Sequence, residues 1–99
     1  MKPVVLHTAA ADEITTAIEF YDNRQAGLGD EFEQEIARVL DLIGKQPRAF
    51  TPYKQRFRKC VLDRFPYVIY FAEFDTYVWV PVVMHTSRKP DYWTDRQPE

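Results

Sequence analysis

The sequence predicts an α+β fold in one domain, with a helical hairpin packed on a twisted antiparallel sheet in the order β-α-α-β-β-β. Three observations favour this fold. Two stretches of the first half repeat apolar residues at helical spacing, and a short Gly-containing loop separates them. The second half changes to alternating and β-branched runs typical of strands. A chain of 99 residues without a Gly/Ser-rich linker or an internal repeat has room for one domain, residues 1–99.

The first half predicts a strand followed by two helices. Lys2–His7 is a short β-branched run, and Thr8 is the expected N-cap of a helix over about 9–24. A loop with two glycines follows, and a second helix is expected over about 29–44. The apolar stripes of the two helices predict one shared buried side. They comprise Ile14, Ala17, Ile18 and Tyr21 in the first helix, and Leu28, Phe32, Ile36, Val39, Leu40 and Ile43 in the second.

The second half predicts three strands after a loop over residues 47–55, which contain two prolines. The strands are expected at Arg56–Leu62, Tyr67–Phe74 and Tyr77–His85, with a hairpin turn between the last two. Pro81 lies inside the last run. Because proline has no backbone N–H to donate to a ladder, this residue predicts a bulge or an unpaired donor position there.

Composition restricts the classes of protein to consider. The formal net charge is −2 and the isoelectric point is near 5.7, which excludes a globally basic protein that coats a polyanion. The single cysteine, Cys60, cannot form an internal disulfide, as is usual in a reducing compartment. The first residues have a charge and a helix signal where a secretory leader would need a long apolar stretch, and no apolar run is long enough to cross a membrane. We therefore expect a soluble cytoplasmic protein without a metal or another cofactor.

The near-neutral total charge hides opposite segments. Residues 1–44 carry three basic and nine acidic side chains, whereas residues 45–64 carry seven basic side chains and one acidic one. The basic segment, 45–64, could therefore present an anion-binding face inside an acidic protein. The alternative is a solvated sheet face whose cations pair with carboxylates of the helices. The candidate binding residues on this segment are Arg56, Arg58 and Arg64.

The C-terminal tail holds the other candidates. His85 could act as a general acid or base, because histidine titrates near neutral pH, or it could be a structural residue at a strand end. Arg88 could hold an anion or bond into the tail. Tyr92 and Trp93 could stack on a nucleobase, or they could clamp the C-terminus onto the sheet. Cys60 is expected to be an inert side chain that fills space.

Several of these motifs together resemble the RelE/ParE superfamily, the small toxins of type II toxin–antitoxin modules. The resemblance covers nearly the whole chain, and it implies two helices on an antiparallel sheet. It is carried by AIEFYDNR in the first helix, GLGDEFEQEI at the second, Pro47 after that helix, the strand entry Phe65-Pro66-Tyr67-Val68-Ile69-Tyr70, and the tail His85-x-x-Arg88-x-Pro90-x-Tyr92-Trp93-x-x-Arg96.

The RelE-like branch cleaves mRNA on the ribosome through attack of the RNA 2′-OH on the adjacent phosphate. That reaction needs an acid, a base and cations near the phosphate. By resemblance, Arg58 stands where the branch has a strand lysine, and Arg88 and Tyr92 match a basic residue and the C-terminal tyrosine. His85 matches the terminal histidine of some ribonuclease branches. Cys60, Tyr67 and Thr86 stand where the RelE-like branch has further cations.

The ParE-like branch poisons DNA gyrase and needs no nuclease site. Binding to ribosomal RNA is driven by counterion release, so the ribosome-directed members of the family are strongly basic. The acidic isoelectric point and the incomplete cationic set of this chain therefore favour the ParE-like branch slightly. A third hypothesis is a detoxified protein that only binds an antitoxin. The resemblance implies a cognate antitoxin as partner in a hetero-oligomer, and either gyrase or the ribosome with mRNA as target. The helical hairpin and an open sheet edge are the expected docking surfaces, with the basic segment facing acidic residues of the antitoxin.

Overall fold

The computed structural model describes residues 1–99 and confirms the predicted α+β fold. Two helices, α1 and α2, pack against one side of a five-stranded sheet with strand order β1-β5-β4-β3-β2. A turn of 3₁₀-helix at Pro47–Ala49 follows the second helix. The elements are β1 (Val4–Leu6), α1 (Thr8–Arg24), α2 (Leu28–Lys45), β2 (Thr51–Tyr53), β3 (Phe57–Val61), β4 (Tyr67–Glu73) and β5 (Val78–His85).

The sheet differs from the expected one in two details. Strand β1 lies parallel to β5, with Val5 opposite Trp79, so the sheet is mixed, although all its other pairings are antiparallel. The expected loop over 47–55 contains β2, which turns back on β3 and places Tyr53 opposite Phe57. The turn between them holds Lys54 at φ 56°, a left-handed conformation.

The predicted bulge at Pro81 is confirmed. Tyr70 pairs with Val82 and Ala72 pairs with Trp79, so two residues of β5 lie opposite one residue of β4. The predicted N-cap of α1 is wrong by one residue. His7 is the cap, because its Nδ1 accepts a hydrogen bond from the backbone N–H of Ala9 at 3.0 Å.

Apolar side chains fill both sides of the sheet. The main core lies between the helices and the sheet and includes Phe32, Phe65 and Ile69. A smaller cluster on the opposite face consists of Val68, Val82, Met84 and Trp93, and the C-terminal tail covers it. Neither helix is long and apolar enough to span a bilayer.

The two helices approach each other closely at the glycine that opens α2. A Cβ at Gly29 would lie 2.6 Å from the Ile18 carbonyl oxygen and 2.7 Å from the Asp22 carboxyl carbon. The Gly29 N–H donates to the Asp22 carboxylate at 2.7 Å. Only glycine leaves room for this contact, which gives the Gly-Leu-Gly motif a packing role.

Candidate functional site

A cleft opens between α1 and the paired ends of β4 and β5. Tyr67, the first residue of β4, lies opposite His85, the last residue of β5, and their ring centroids are 5.3 Å apart. The cleft has a volume of about 220 Å³. Phe20 and Arg88 line it together with Tyr67 and His85. We call this space the α1–β5 cleft.

Glu13 joins α1 to the strand bulge and to the tail. Its carboxylate accepts hydrogen bonds from the Val83 backbone N–H at 3.1 Å, from the Tyr92 hydroxyl, and from the Arg96 guanidinium at 3.1 and 3.2 Å. Arg96 also donates to the Pro81 carbonyl at 2.8 Å. The two side chains thus bond one backbone group within the bulge, at Pro81, and one just beyond it, at Val83. We call Glu13, Tyr92 and Arg96 the Glu13 network.

The Glu13 network occupies the hydroxyl of the tail tyrosine. Burial, together with the hydrogen bond to Glu13, raises the pKa of Tyr92 to about 12. The phenol therefore stays protonated at neutral pH, with its proton directed to Glu13. Arg88 and Arg96 both lie against the Tyr92 ring, with guanidinium carbons 4.3 and 5.3 Å from its centroid. In this arrangement Tyr92 holds the tail in place and has no free hydroxyl to offer a substrate.

His85 and Arg88, which the tail motif offered as separate candidates, both line the α1–β5 cleft. The Ser87 backbone N–H donates to His85 Nδ1 at 3.0 Å, and Ser87 Oγ lies 2.8 Å from the same nitrogen. Because Nδ1 accepts, the neutral ring is assigned its proton on Nε2. The Arg88 guanidinium forms no ion pair with any carboxylate. His85 Nε2 and Arg88 are therefore both free to donate.

The three arginines predicted to form an anion-binding face lie apart. Arg56 is exposed beside the Phe57 ring, whereas Arg58 lies on the helix side of the sheet and donates to the Phe50 carbonyl at 2.8 Å. Arg64 pairs with Glu31 of α2. Arg58 is also four residues along β4 from the start of the cleft, about 13 Å away at the usual rise of a strand. The structure brings Arg58 neither to the tail residues nor to Arg64.

Trp93 was also a candidate for stacking on a nucleobase, and the structure corrects this. The indole is only 1% exposed. It stacks on Tyr70 with ring centroids 4.9 Å apart, and Phe57 meets it edge to face at 5.0 Å. Stacking on a base requires an open ring face, and the apolar cluster under the tail leaves none. The alternative interpretation, a clamp that fixes the C-terminus to the sheet, describes Trp93.

Sequence interpretation did not single out Lys59. Along β3 the side chains alternate, so Lys59 lies on the tail side of the sheet, whereas Arg58 and Cys60 lie on the helix side. Lys59 and Arg88 line one groove of about 200 Å³, together with Tyr70 and Pro90. Neither cation has a carboxylate partner. The strand alternation separates Lys59 from Arg58, and it was the signal that could have drawn attention to Lys59.

The remaining polar candidates form no reactive constellation. Cys60 is partly buried, and burial raises the pKa of its thiol, which keeps it un-ionised at neutral pH. No three His, Cys, Asp or Glu side chains lie together in a way that could hold a metal ion. Glu13, which does organise the tail, is not among the candidate residues that the sequence singled out.

Comparison with known proteins adds no assignment. The chain matches no model of a protein family, and no curated protein matches it significantly. The function has to be argued from the site, with the resemblance of motifs as its starting point.

Proposed function

We propose that the chain is the toxin of a type II toxin–antitoxin module, and that it inhibits bacterial growth in the cytoplasm by contacting a protein such as DNA gyrase. The motif resemblance supports the toxin part of the proposal, and the α+β fold agrees with what that resemblance implies. The commitment of the Tyr92 hydroxyl to Glu13 carries the non-nucleolytic part.

An RNA cleavage by 2′-OH attack needs a proton acceptor, a proton donor and cations around one phosphate. Tyr92, matched by resemblance to the C-terminal tyrosine of the nuclease branch, is a poor donor here because its pKa is about 12 and its proton is shared with Glu13. Arg58 lies at the other end of β3. His85 and Arg88 remain, and one histidine with one arginine is an incomplete set for this reaction.

The basic segment leaves less free charge than the sequence suggests. Four of its seven cations pair with carboxylates of the same chain: Lys45, Arg48, Lys54 and Arg64. The unpaired ones are Arg56, Arg58 and Lys59, all on or beside β3. If an acidic antitoxin segment docks on the basic segment, we expect its contacts to concentrate there. The expected complex is a hetero-oligomer of toxin and antitoxin.

A second candidate function, ribosome-dependent mRNA cleavage, is favoured by one observation. Lys59 and Arg88 line the same groove on the tail side of the sheet, beside the Tyr70 ring. Two free cations and an aromatic side chain are features of sites that bind single-stranded RNA. No histidine lines this groove, and the Tyr92 hydroxyl lies outside it, bound to Glu13, and for that reason the protein-directed function is preferred.

The proposal is tested by inducing the chain in a bacterial host. We expect loss of colony formation, rescue by co-expression of a small antitoxin encoded beside the toxin gene, and induction of the SOS response. Transcripts mapped on translating ribosomes should remain uncut. No effect on growth would support a detoxified antitoxin-binding protein instead. Growth arrest with codon-phased transcript cleavage, lost in both Lys59→Gln and Arg88→Gln, would support the second candidate.

A further inference from the structure

We infer that the α1–β5 cleft is a carboxylate-binding site, and that it receives an acidic side chain, next to a large apolar one, from a protein partner. This inference deepens the proposed function, on which it rests for the existence of a protein partner. The chemistry of the cleft is independent of that function. Three donors without an acceptor lie around one small space, and an exposed aromatic side chain stands beside them.

The first donor is the Tyr67 hydroxyl, which makes no hydrogen bond within the protein. The ring is fixed by its neighbours Phe32 and His85, with centroids 5.0 and 5.3 Å away. Burial raises the pKa of Tyr67, so the group stays an O–H donor at neutral pH. A half-buried hydroxyl held in one position and left without a partner is suited to an incoming acceptor.

The second and third donors are His85 Nε2–H and the Arg88 guanidinium. Ser87 occupies His85 Nδ1, which orients the other ring nitrogen as the donor. The Arg88 guanidinium carbon lies 4.3 Å from the centroid of the Tyr92 ring, and this contact leaves its N–H groups free to donate. A carboxylate is the acceptor that a guanidinium matches with two parallel hydrogen bonds.

The nearby carboxylate of Glu13 does not cancel this arrangement. Glu13 lines the cleft, but both of its oxygens already accept hydrogen bonds, and Arg96 neutralises its charge at 3.1 Å. Arg88 is therefore the one cation of the cleft without a counter-charge. One cation suits a single carboxylate, whereas a polyanion needs several phosphate contacts.

The α1 wall of the cleft is the reason for proposing an apolar residue beside the acidic one in the partner. Glu13, Ala17 and Phe20 recur at helical spacing along that wall, and Phe20 is 50% exposed, which is unusual for a phenylalanine. Arg24, one turn further, covers the Phe20 ring at 5.4 Å and has no ion pair. An acidic segment with an apolar residue would thus meet Phe20 between two free cations, Arg88 and Arg24.

The probe for the site is 3-phenylpropionate, which carries a carboxylate and an aromatic ring, and 3-phenylpropanamide is its neutral isostere. In two-dimensional NMR of the full chain, we expect saturable shifts at Phe20, Tyr67, His85 and Arg88, with a Kd on the order of 1 mM. We expect Arg88→Gln to weaken the probe at least tenfold and Tyr67→Phe to weaken it about three- to tenfold. Lys89→Gln, a neighbouring exposed cation outside the cleft, should change the Kd less than about twofold.

Each other outcome overturns the inference. Equal binding of the amide would make the cleft a purely apolar recess. Tighter binding of oligouridylate than of the carboxylate, dependent on Arg88, would make it a nucleic-acid site. Absence of shifts at about 20 mM probe, far above the expected Kd, would remove the site altogether. The probe assay does not depend on toxicity, so lost binding with retained growth arrest refutes this inference alone. Retained binding without growth arrest refutes the proposed function alone.

Discussion

Replacing Glu13 with glutamine is expected to lower the free energy of unfolding by about 2–4 kcal/mol. The Glu13 carboxylate accepts four hydrogen bonds, and its side chain and that of Arg96 are only 17% and 18% exposed. Breaking a fully buried ion pair costs about 3–5 kcal/mol, because the remaining charge is left unpaired. Partial exposure reduces that cost, while the glutamine NH₂ group is placed against at least one of the former donors.

Urea unfolding and thermal unfolding, both monitored by far-UV circular dichroism, measure this change. A domain of this size should lose about 10 °C or more in Tm from a change of 2–4 kcal/mol. Glu19→Gln on the same helix is the matched control, because Glu19 is exposed and has no partner, and it should stay within about 0.5 kcal/mol of the parent chain. Tyr92→Phe removes one hydrogen bond of the network and should cost about 1–2 kcal/mol. If Glu13→Gln is as neutral as Glu19→Gln, the network does not hold the tail and the reasoning fails.

Three further predictions concern stability. The folded-state pKa of Tyr92, about 12, exceeds the ordinary value of 10, so stability should fall as the pH rises through this window, because the unfolded chain loses the proton first. Urea titrations at several alkaline pH values should show a smaller fall for Tyr92→Phe, and an equal fall would contradict the assignment. Gly29→Ala should cost about 1–3 kcal/mol through its clash with the Ile18 carbonyl, whereas exposed Ala37→Ser should be neutral in the same assay. Trp93→Ala should cost about 3–5 kcal/mol and increase the binding of a hydrophobic dye, and an unchanged Tm would mean that the tail does not cover the sheet.

The helices and long strands were predictable because one face of each is buried. The α2 stripe from Phe32 to Ile43 repeats at helical spacing since only that side meets the sheet. The bulge at Pro81 was predictable because a missing N–H must be accommodated wherever the strand lies. Strand β2 escaped prediction, since it has three residues, contains a proline and shows no apolar alternation. The parallel partner of β1 depends on a pairing across more than 70 residues, which no local pattern encodes.

The candidate site was predicted in part. His85 and Arg88 do lie together, because Thr86 and Ser87 form a turn that the Arg88 N–H closes by donating to the His85 carbonyl at 3.0 Å. The partner of Tyr92 was not predictable, since Glu13 lies 79 residues away and resembles any other acidic residue near a helix start. Lys59 shares β3 with Arg58 but faces the opposite side of the sheet, so the motif alignment that selected Arg58 did not include it.

The most direct test of the central claim is transcript mapping on translating ribosomes during growth arrest caused by the induced chain. If the toxin acts by protein contact, with Tyr92 bound to Glu13, we expect growth arrest and an SOS response while transcripts stay intact. Cleavage at a fixed position within the ribosomal reading frame, appearing before growth stops, would contradict the claim.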